Sequence, residues 1–139
     1  MIITRTSAYS TLYHLVWVTK YREKIFNEEK KKHAMEELLN EVAANNEIDI
    51  KRLVVAEDHI HMVASFPPKH AISQVMMMLK GGTGRLWFLL FPETKEQLYK
   101  GELWSNGYFA GTAGEVSDEV VANYVESQLD EFNDGRPRR

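Results

Sequence analysis

Glu57-Asp58-His59-Ile60-His61-Met62-Val63 is the stretch on which the reading of this chain turns. Its centre is a histidine, one apolar residue and a second histidine, inside a run that reads as a β-strand. Successive side chains of a strand point to opposite faces, so His59 and His61 share one face about 7 Å apart along the backbone, while Ile60 and Met62 point into the core. Two imidazoles so placed can grip one divalent ion. A tetrahedral structural zinc site needs about four nitrogen or sulfur ligands. The chain has no Cys, and its other histidines, His14, His33 and His70, are scattered. An ion held by this pair would therefore keep open positions, which suits a catalytic ion that also touches a substrate oxygen. The plainer alternative is a histidine pair on a solvated strand face.

The rest of the composition bounds the answer. At 139 residues the chain reads as one domain, residues 1–139, with a real core. Apolar residues make up 44% and charged residues 27%, as in an ordinary globular protein. No stretch approaches the ~18 apolar residues of a membrane span and no secretory signal pattern opens the chain, so a cytoplasmic protein with no membrane partner is expected. Without Cys, disulfides, thiolate nucleophiles and cysteine-based zinc sites are excluded. The net charge of −3 does not by itself advertise nucleic-acid binding. Local positive clusters nevertheless occur at Lys20-Tyr21-Arg22-Glu23-Lys24, Lys51-Arg52, Lys69-His70 and Arg136 to Arg139, and a face assembled from them would be basic.

Upstream of the histidines, Tyr9 to Thr19 is rich in β-branched and aromatic residues and predicts a central strand, with Leu12, His14, Val16 and Val18 on one side and Tyr13, Leu15 and Trp17 on the other. His14 reads as a hydrogen-bonded strand residue rather than a third ligand. In the following Lys20-Tyr21-Arg22, the cations can meet phosphates and the Tyr can stack on a base; a snorkelling, solvated loop is the equal alternative. Asn27 is placed to cap a helix starting at Glu28, whose buried stripe is Met35, Leu38, Leu39 and Val42, and Asn45-Asn46 ends it. Lys30-Lys31-Lys32 reads as its solvated face. Ile48 to Ala56 predicts the next strand, with Leu53 or Val54 directed inward according to a possible bulge near Arg52. It forms an antiparallel hairpin with the histidine strand, which Pro67-Pro68 closes.

Ala71 to Phe91 has helical periodicity, with Ile72, Val75, Met76, Leu79, Leu86 and Leu90 as its apolar stripe and the Met76-Met77-Met78 run as core filler. Each interior glycine costs a helix about 1 kcal/mol. Gly81, Gly82 and Gly84 therefore predict either a break or a surface that something approaches closely. Flanked by Lys80 and Arg85, that something is a phosphate backbone or, equally, a packed helix or sheet. Pro92 stops the helix. Leu103 to Ala110 predicts a strand with an irregularity at Asn106-Gly107, Gly111 and Gly114 bracket a link, and Ser117 caps a last helix. The order is the βαββαβ of a ferredoxin-like or RNA-recognition-like α+β fold: an antiparallel sheet with helices on one face, plus a C-terminal helix.

That last helix carries Tyr124 and Gln128, one turn apart on one face. A phenol with pKa ~10 is a poor nucleophile at neutral pH, but beside a divalent cation its phenolate is stabilised and a phosphate is polarised. Gln128 can bring its carbonyl oxygen to the same ion. Such a site would attack a phosphodiester with Tyr124 and hold the product covalently.

Tyr13-His14-Leu15-Val16-Trp17-Val18-Thr19-Lys20-Tyr21-Arg22, Asp58-His59-Ile60-His61, Phe66-Pro67-Pro68-Lys69, Leu79-Lys80-Gly81, Phe91-Pro92, Leu103-Trp104-Ser105, Tyr108-Phe109 and Tyr124-Val125-Glu126-Ser127-Gln128 together resemble the IS200/IS605-type transposases, single-tyrosine members of the His-hydrophobe-His endonuclease superfamily. The resemblance spans nearly the whole chain. It implies an enzyme that excises and inserts single-stranded DNA of an insertion sequence without ATP. It also implies that His59, His61 and Gln128 hold Mg²⁺ or Mn²⁺, that Tyr124 forms a 5′-phosphotyrosine and that a 3′-OH is released. The implied partners are DNA with subterminal hairpins and a second copy of the chain, the homodimer joining the histidines of one subunit to the tyrosine helix of the other across the Gly111 to Gly114 link. Such a protein would associate with the prokaryotic nucleoid when bound to DNA. Lys20, Tyr21, Arg22, Lys80 and Arg85 are the DNA-contact candidates. Gly82-Thr83-Gly84, where relatives commonly carry small hydroxyl residues, and the acidic net charge depart from the pattern. The competing readings are a domesticated relative that binds or nicks repeated hairpins, a non-catalytic RNA-recognition-like module, and a structural ferredoxin-like domain with a coincidental histidine pair.

Overall fold

The structure is a computed structural model that describes residues 2–3, 8–9, 11–112, 114 and 116–128. The basic cluster expected at 136 to 139 and the apolar residue Leu129 lie outside the described residues. A short antiparallel pair, β1 (Ile2–Ile3) with β2 (Ala8–Tyr9), precedes the main sheet. That sheet comprises β3 (Tyr13–Val18), β4 (Asp49–Val55), β5 (His59–Ser65) and β6 (Phe109–Thr112) in the antiparallel order β4-β5-β3-β6. The helices are α1 (Glu29–Asn45), α2 (Ile72–Leu90) and α3 (Asp118–Ser127). The expected βαββαβ order with a further C-terminal helix is thus the observed one, and the histidine strand β5 is central.

The sheet has two apolar faces because β3 and β5 are apolar at both parities. Leu15, Trp17, Ile60, Met62 and Ala64 form one face, against Met35, Leu38, Leu39 and Val42 of α1 and Val75, Met76, Leu79 and Trp87 of α2. Burying each such side chain stabilises by about 1.5–3 kcal/mol before entropy is counted. Phe26 sits edge-on to Trp87 at 5.1 Å between ring centroids, and Trp17 edge-on to Trp104 at 5.9 Å, an arrangement that aligns ring edges with ring faces. The other face is smaller: Val16 and Val18 pack with Val121 and Val125 of α3, flanked by Phe109, Val116 and Tyr124.

Several local expectations are corrected. Glu28, not Asn27, holds the N-cap position of α1, without a side-chain cap hydrogen bond. Lys31 is buried and pairs with Glu28 at 3.0 Å, so only part of the lysine run is solvated. The glycines do not break α2. A Cβ on Gly82 would lie 3.1 Å from Val42 Cγ2, and one on Gly84 would lie 3.6 Å from Trp104, so both admit neighbouring elements, while Gly81 faces open space. Leu103 to Ala110 is not one strand: Trp104 forms an isolated bridge to Thr19, Gly107 turns the chain at φ +123°, and β6 begins only at Phe109. Gly111 belongs to β6, where a Cβ would come within 2.6 Å of Val116 Cγ2. Met77, within the expected filler run, is 69% exposed.

Candidate active site

The site is built on the sheet face away from α1 and α2. Cross-strand pairing sets Val54, His61, Val16 and Phe109 side by side across the four strands, with His59 opposite Val18 one step along β5. In an antiparallel ladder opposed residues share a face, so both histidines lie on the face that α3 covers. The N-terminal end of α3 lies toward His61, whose charged form Asp118 favours, and its C-terminal end lies toward His59, through Glu126 and Arg22. Ser117 Oγ accepts from the Val120 amide at 3.3 Å and caps this helix as expected.

His14 is the strand residue diagonal to His61, and long side chains at diagonal positions reach each other. Their rings stack at 5.1 Å, with His14 Nδ1 2.8 Å from His61 Nε2. One of the two nitrogens carries the shared proton and the other accepts it. His61 is only 6% exposed, and its pKa is lowered by burial first and then by the neighbouring His14 and Arg52, which favours the neutral ring. Sequence reasoning gave His14 its strand hydrogen bond but not its partner.

His59 is held differently. Its Nδ1 lies 2.8 Å from Asp58 Oδ1, and Asp58 Oδ2 accepts from Arg22 Nε at 3.0 Å. Burial alone would raise the Asp58 carboxyl. The His59 hydrogen bond and the Arg22 guanidinium outweigh that and hold it below the usual carboxylate range. Arg22 also reaches Glu126 Oε2 at 3.6 Å, an exposed pair that contributes little. In the sequence Asp58 stands beside the histidine pair without a role of its own; its signal was a carboxylate adjoining a candidate ligand histidine.

The donor chemistry suits a divalent ion. Donation from Nδ1 to a carboxylate leaves the Nε2 lone pair of His59 directed outward, as in carboxylate–histidine–metal arrangements. His61 retains one ring nitrogen beyond its His14 contact. Among the described residues no group of three or more His, Cys, Asp or Glu side chains is placed to hold an ion. Gln128 ends α3 half-buried, with its Nε2 3.3 Å from Ser127 Oγ. Tyr124, one turn before it, is also half-buried, its ring 5.7 Å from that of Phe109.

The expected DNA-contact residues fare unequally. Tyr21 is 1% exposed and stacks on Tyr99 at 5.5 Å between centroids, so its ring has no face open to a base. Lys20 is buried and pairs with Glu102 at 3.5 Å, and Arg22 is committed to Asp58. Lys80 Nζ donates to the carbonyls of Ser105 and Gly107, both at 2.8 Å, and so fixes the turn before β6. Arg85 is exposed beside a cleft of about 440 Å³ between α1 and α2. Among the described residues no helix is long and apolar enough to cross a membrane.

Comparison with known proteins places this fold, with its histidine-bearing face, in a class of DNA-processing enzymes. Residues 7–128 match the family model described as IS200-like transposase. The ISDra2 transposase TnpA of Deinococcus radiodurans is 33% identical over 126 residues, covering 91% of this chain and 89% of that one. The transposase of insertion sequence IS200 from Salmonella typhimurium is 31% identical over 119 residues, 86% of this chain and 77% of its own. A crystal structure of a protein from D. radiodurans R1 superposes with a TM-score of 0.85 at 30% identity over 92% of this chain and 98% of that one. A REP-associated tyrosine transposase bound to a REP hairpin shares the fold, with a TM-score of 0.50 at 12% identity over 94% and 72% of the two chains. The chain belongs to the IS200-like transposase family.

Proposed function

We propose that this transposase cleaves and rejoins single-stranded DNA at the ends of an insertion sequence, with Tyr124 as nucleophile and a divalent ion held by His59, His61 and Gln128. The observation that carries the reading is the placement of both histidines on the one sheet face that the tyrosine-bearing helix covers. Asp58 keeps His59 Nε2 available as a donor, and His61 offers the lone pair of its Nδ1 when its Nε2 is the donor to His14. Mg²⁺ or Mn²⁺ held by these residues would supply polarisation of the scissile phosphate; two imidazoles favour Mn²⁺ over the oxygen-seeking Mg²⁺.

In the reaction Tyr124 Oη gives up its proton to solvent and bonds to phosphorus. The bond from phosphorus to the 3′ oxygen breaks, and that oxygen leaves as a 3′-OH after taking a proton from water. A 5′-phosphotyrosine remains, and a later attack by a 3′-OH reverses the same steps. Each step exchanges one phosphoester for another, so no nucleotide cofactor is required. Hairpin recognition and a homodimer belong to the same proposal. The α3 helix packs on its own sheet in this structure, so sharing of sites between subunits would require α3 to leave Val16 and Val18.

The test is incubation with labelled single-stranded hairpin DNA and Mn²⁺, followed by denaturing electrophoresis. A metal-dependent, denaturation-resistant protein–DNA adduct should form, and Tyr124→Phe should abolish it while hairpin binding persists. Intact binding with no adduct, on DNA that includes ends from the protein's own locus, would favour a domesticated, binding-only relative.

A further inference from the structure

We propose that Asp58 and Arg22 are positioning residues: together they lock His59 in the tautomer and orientation that present Nε2 to the ion. The inference rests on the metal-site reading above and deepens it. Asp58 is only 8% exposed, and its two oxygens are divided between two elements, Oδ1 with His59 Nδ1 at 2.8 Å and Oδ2 with Arg22 Nε at 3.0 Å. A carboxylate accepts and cannot donate, so the His59 nitrogen facing it must carry the proton. The ring is thereby fixed with its lone pair on Nε2. Arg22 resists rotation of the carboxylate, since a swing of Asp58 toward His59 alone would cost the guanidinium Nε its 3.0 Å acceptor and leave only the longer, exposed contact with Glu126.

The backbone supplies an independent observation. Tyr21 and Arg22 both lie in the left-handed region at φ 53°, although neither is glycine. Each such residue costs roughly 1–2 kcal/mol. Burial of the Tyr21 ring against Tyr99 and the donation from Arg22 to Asp58 are what this turn gains. Thr19 secures it from the other side, its Oγ1 donating to the Glu23 carbonyl at 2.7 Å and its amide to the Asp58 carbonyl at 3.0 Å. Arg22 and Asp58 are thus tied to one another through backbone as well as side chains. A basic residue intended for a phosphate backbone has no need of a strained turn that directs it onto an acid.

The test needs no DNA. In the metal-free, full-length protein at pH 8, ¹⁵N shifts of His59 should report a proton on Nδ1. Asp58→Ala should move the ring toward the Nε2-protonated form, and Asp58→Asn, which keeps the shape and one acceptor oxygen, should give an intermediate mixture. Mn²⁺ affinity, read by electron paramagnetic resonance without substrate, should fall roughly ten- to a hundredfold in Asp58→Ala. It should fall less in Arg22→Gln and recover in part in Arg22→Lys. Circular dichroism identifies variants that fail to fold, and Asp58→Asn then carries the comparison. An unchanged His59 tautomer in the folded Asp58 variants would overturn the proposal. So would Mn²⁺ affinity within twofold of the original while His59→Ala abolishes binding. If the unaltered protein binds no Mn²⁺, the metal reading fails by itself, and the tautomer result still decides whether Asp58 positions His59.

Discussion

The Thr83 hydroxyl donates to the Leu79 carbonyl at 2.6 Å and accepts from Trp104 Nε1 at 3.1 Å, at a fully buried position. It thereby pins the segment before β6 to the middle of α2. Thr83→Val keeps the shape and leaves a buried indole N–H without an acceptor, which costs about 1–3 kcal/mol. A urea titration should show that loss, while Thr83→Ser, which retains the hydroxyl, should lose less. An equal loss in both would mean that the methyl group rather than the hydroxyl matters. At this scale the sequence revealed residue types better than their partners. His59 and His61 were readable as a pair because a strand's alternation is local. The His14 partner lies 47 positions from it along the chain, and the acid that receives Arg22 lies 36 positions away. Nothing local announces that Tyr21 and Arg22 adopt a conformation usually left to glycine.

Among the elements, α2 makes the sharpest comparison. Gly81 meets nothing within 4 Å of an added Cβ, whereas at Gly111 in β6 the Val116 side chain would be 2.6 Å away. Gly81→Ala should therefore stabilise the protein by about 0.5–1 kcal/mol, since alanine has the better helix propensity and restricts the unfolded chain. Gly111→Ala should destabilise it by forcing β6 away from Val116. Thermal denaturation of the two variants should give shifts of opposite sign, and a fall in both would mean that Gly81 serves a backbone role. The three helices were legible because their apolar residues recur at helical spacing, and the histidine strand because it is a short apolar run that Pro67-Pro68 closes, although the glycines of α2 left a break open. Leu103 to Ala110 misled because two short apolar runs flank Asn106-Gly107. The first turns into the core at Trp104 and only the second enters the sheet.

For the molecule as a whole, the site adds a pH dependence to stability. Asp58 is held below the usual carboxylate range despite its burial, so its contribution is present above the unfolded carboxylate value and is lost as pH falls through the lowered one. His61 is lowered below 6.5 by burial, His14 and Arg52, so it too favours folding above that pH and ceases to as pH falls through its folded value. The two signs agree. The urea midpoint should decline on acidification from about pH 8, first around the histidine range and then around the carboxylate range. His61→Gln should flatten the upper part of that decline; a midpoint constant down to pH ~4 would contradict the His61 assignment, and one that stays constant on down to pH ~2 would contradict that of Asp58 as well.

The irregularity in β4 shows where this chain can tolerate a change in length. Ile50 pairs with Ala64 and Arg52 with Val63, so Lys51 is one residue more than the partner strand requires. That surplus keeps both Ile50 and Leu53 on the core side. Removing Lys51 would restore a continuous ladder without reversing any face, and the shortened protein should fold and retain its histidine geometry. One alanine inserted between Ile60 and His61 would instead send the two imidazoles to opposite sides of the sheet and abolish adduct formation. Insertions and deletions among descendants of this gene would then collect at position 51 and spare the segment from 59 to 61, leaving an evolutionary trace of a strand with one residue to spare.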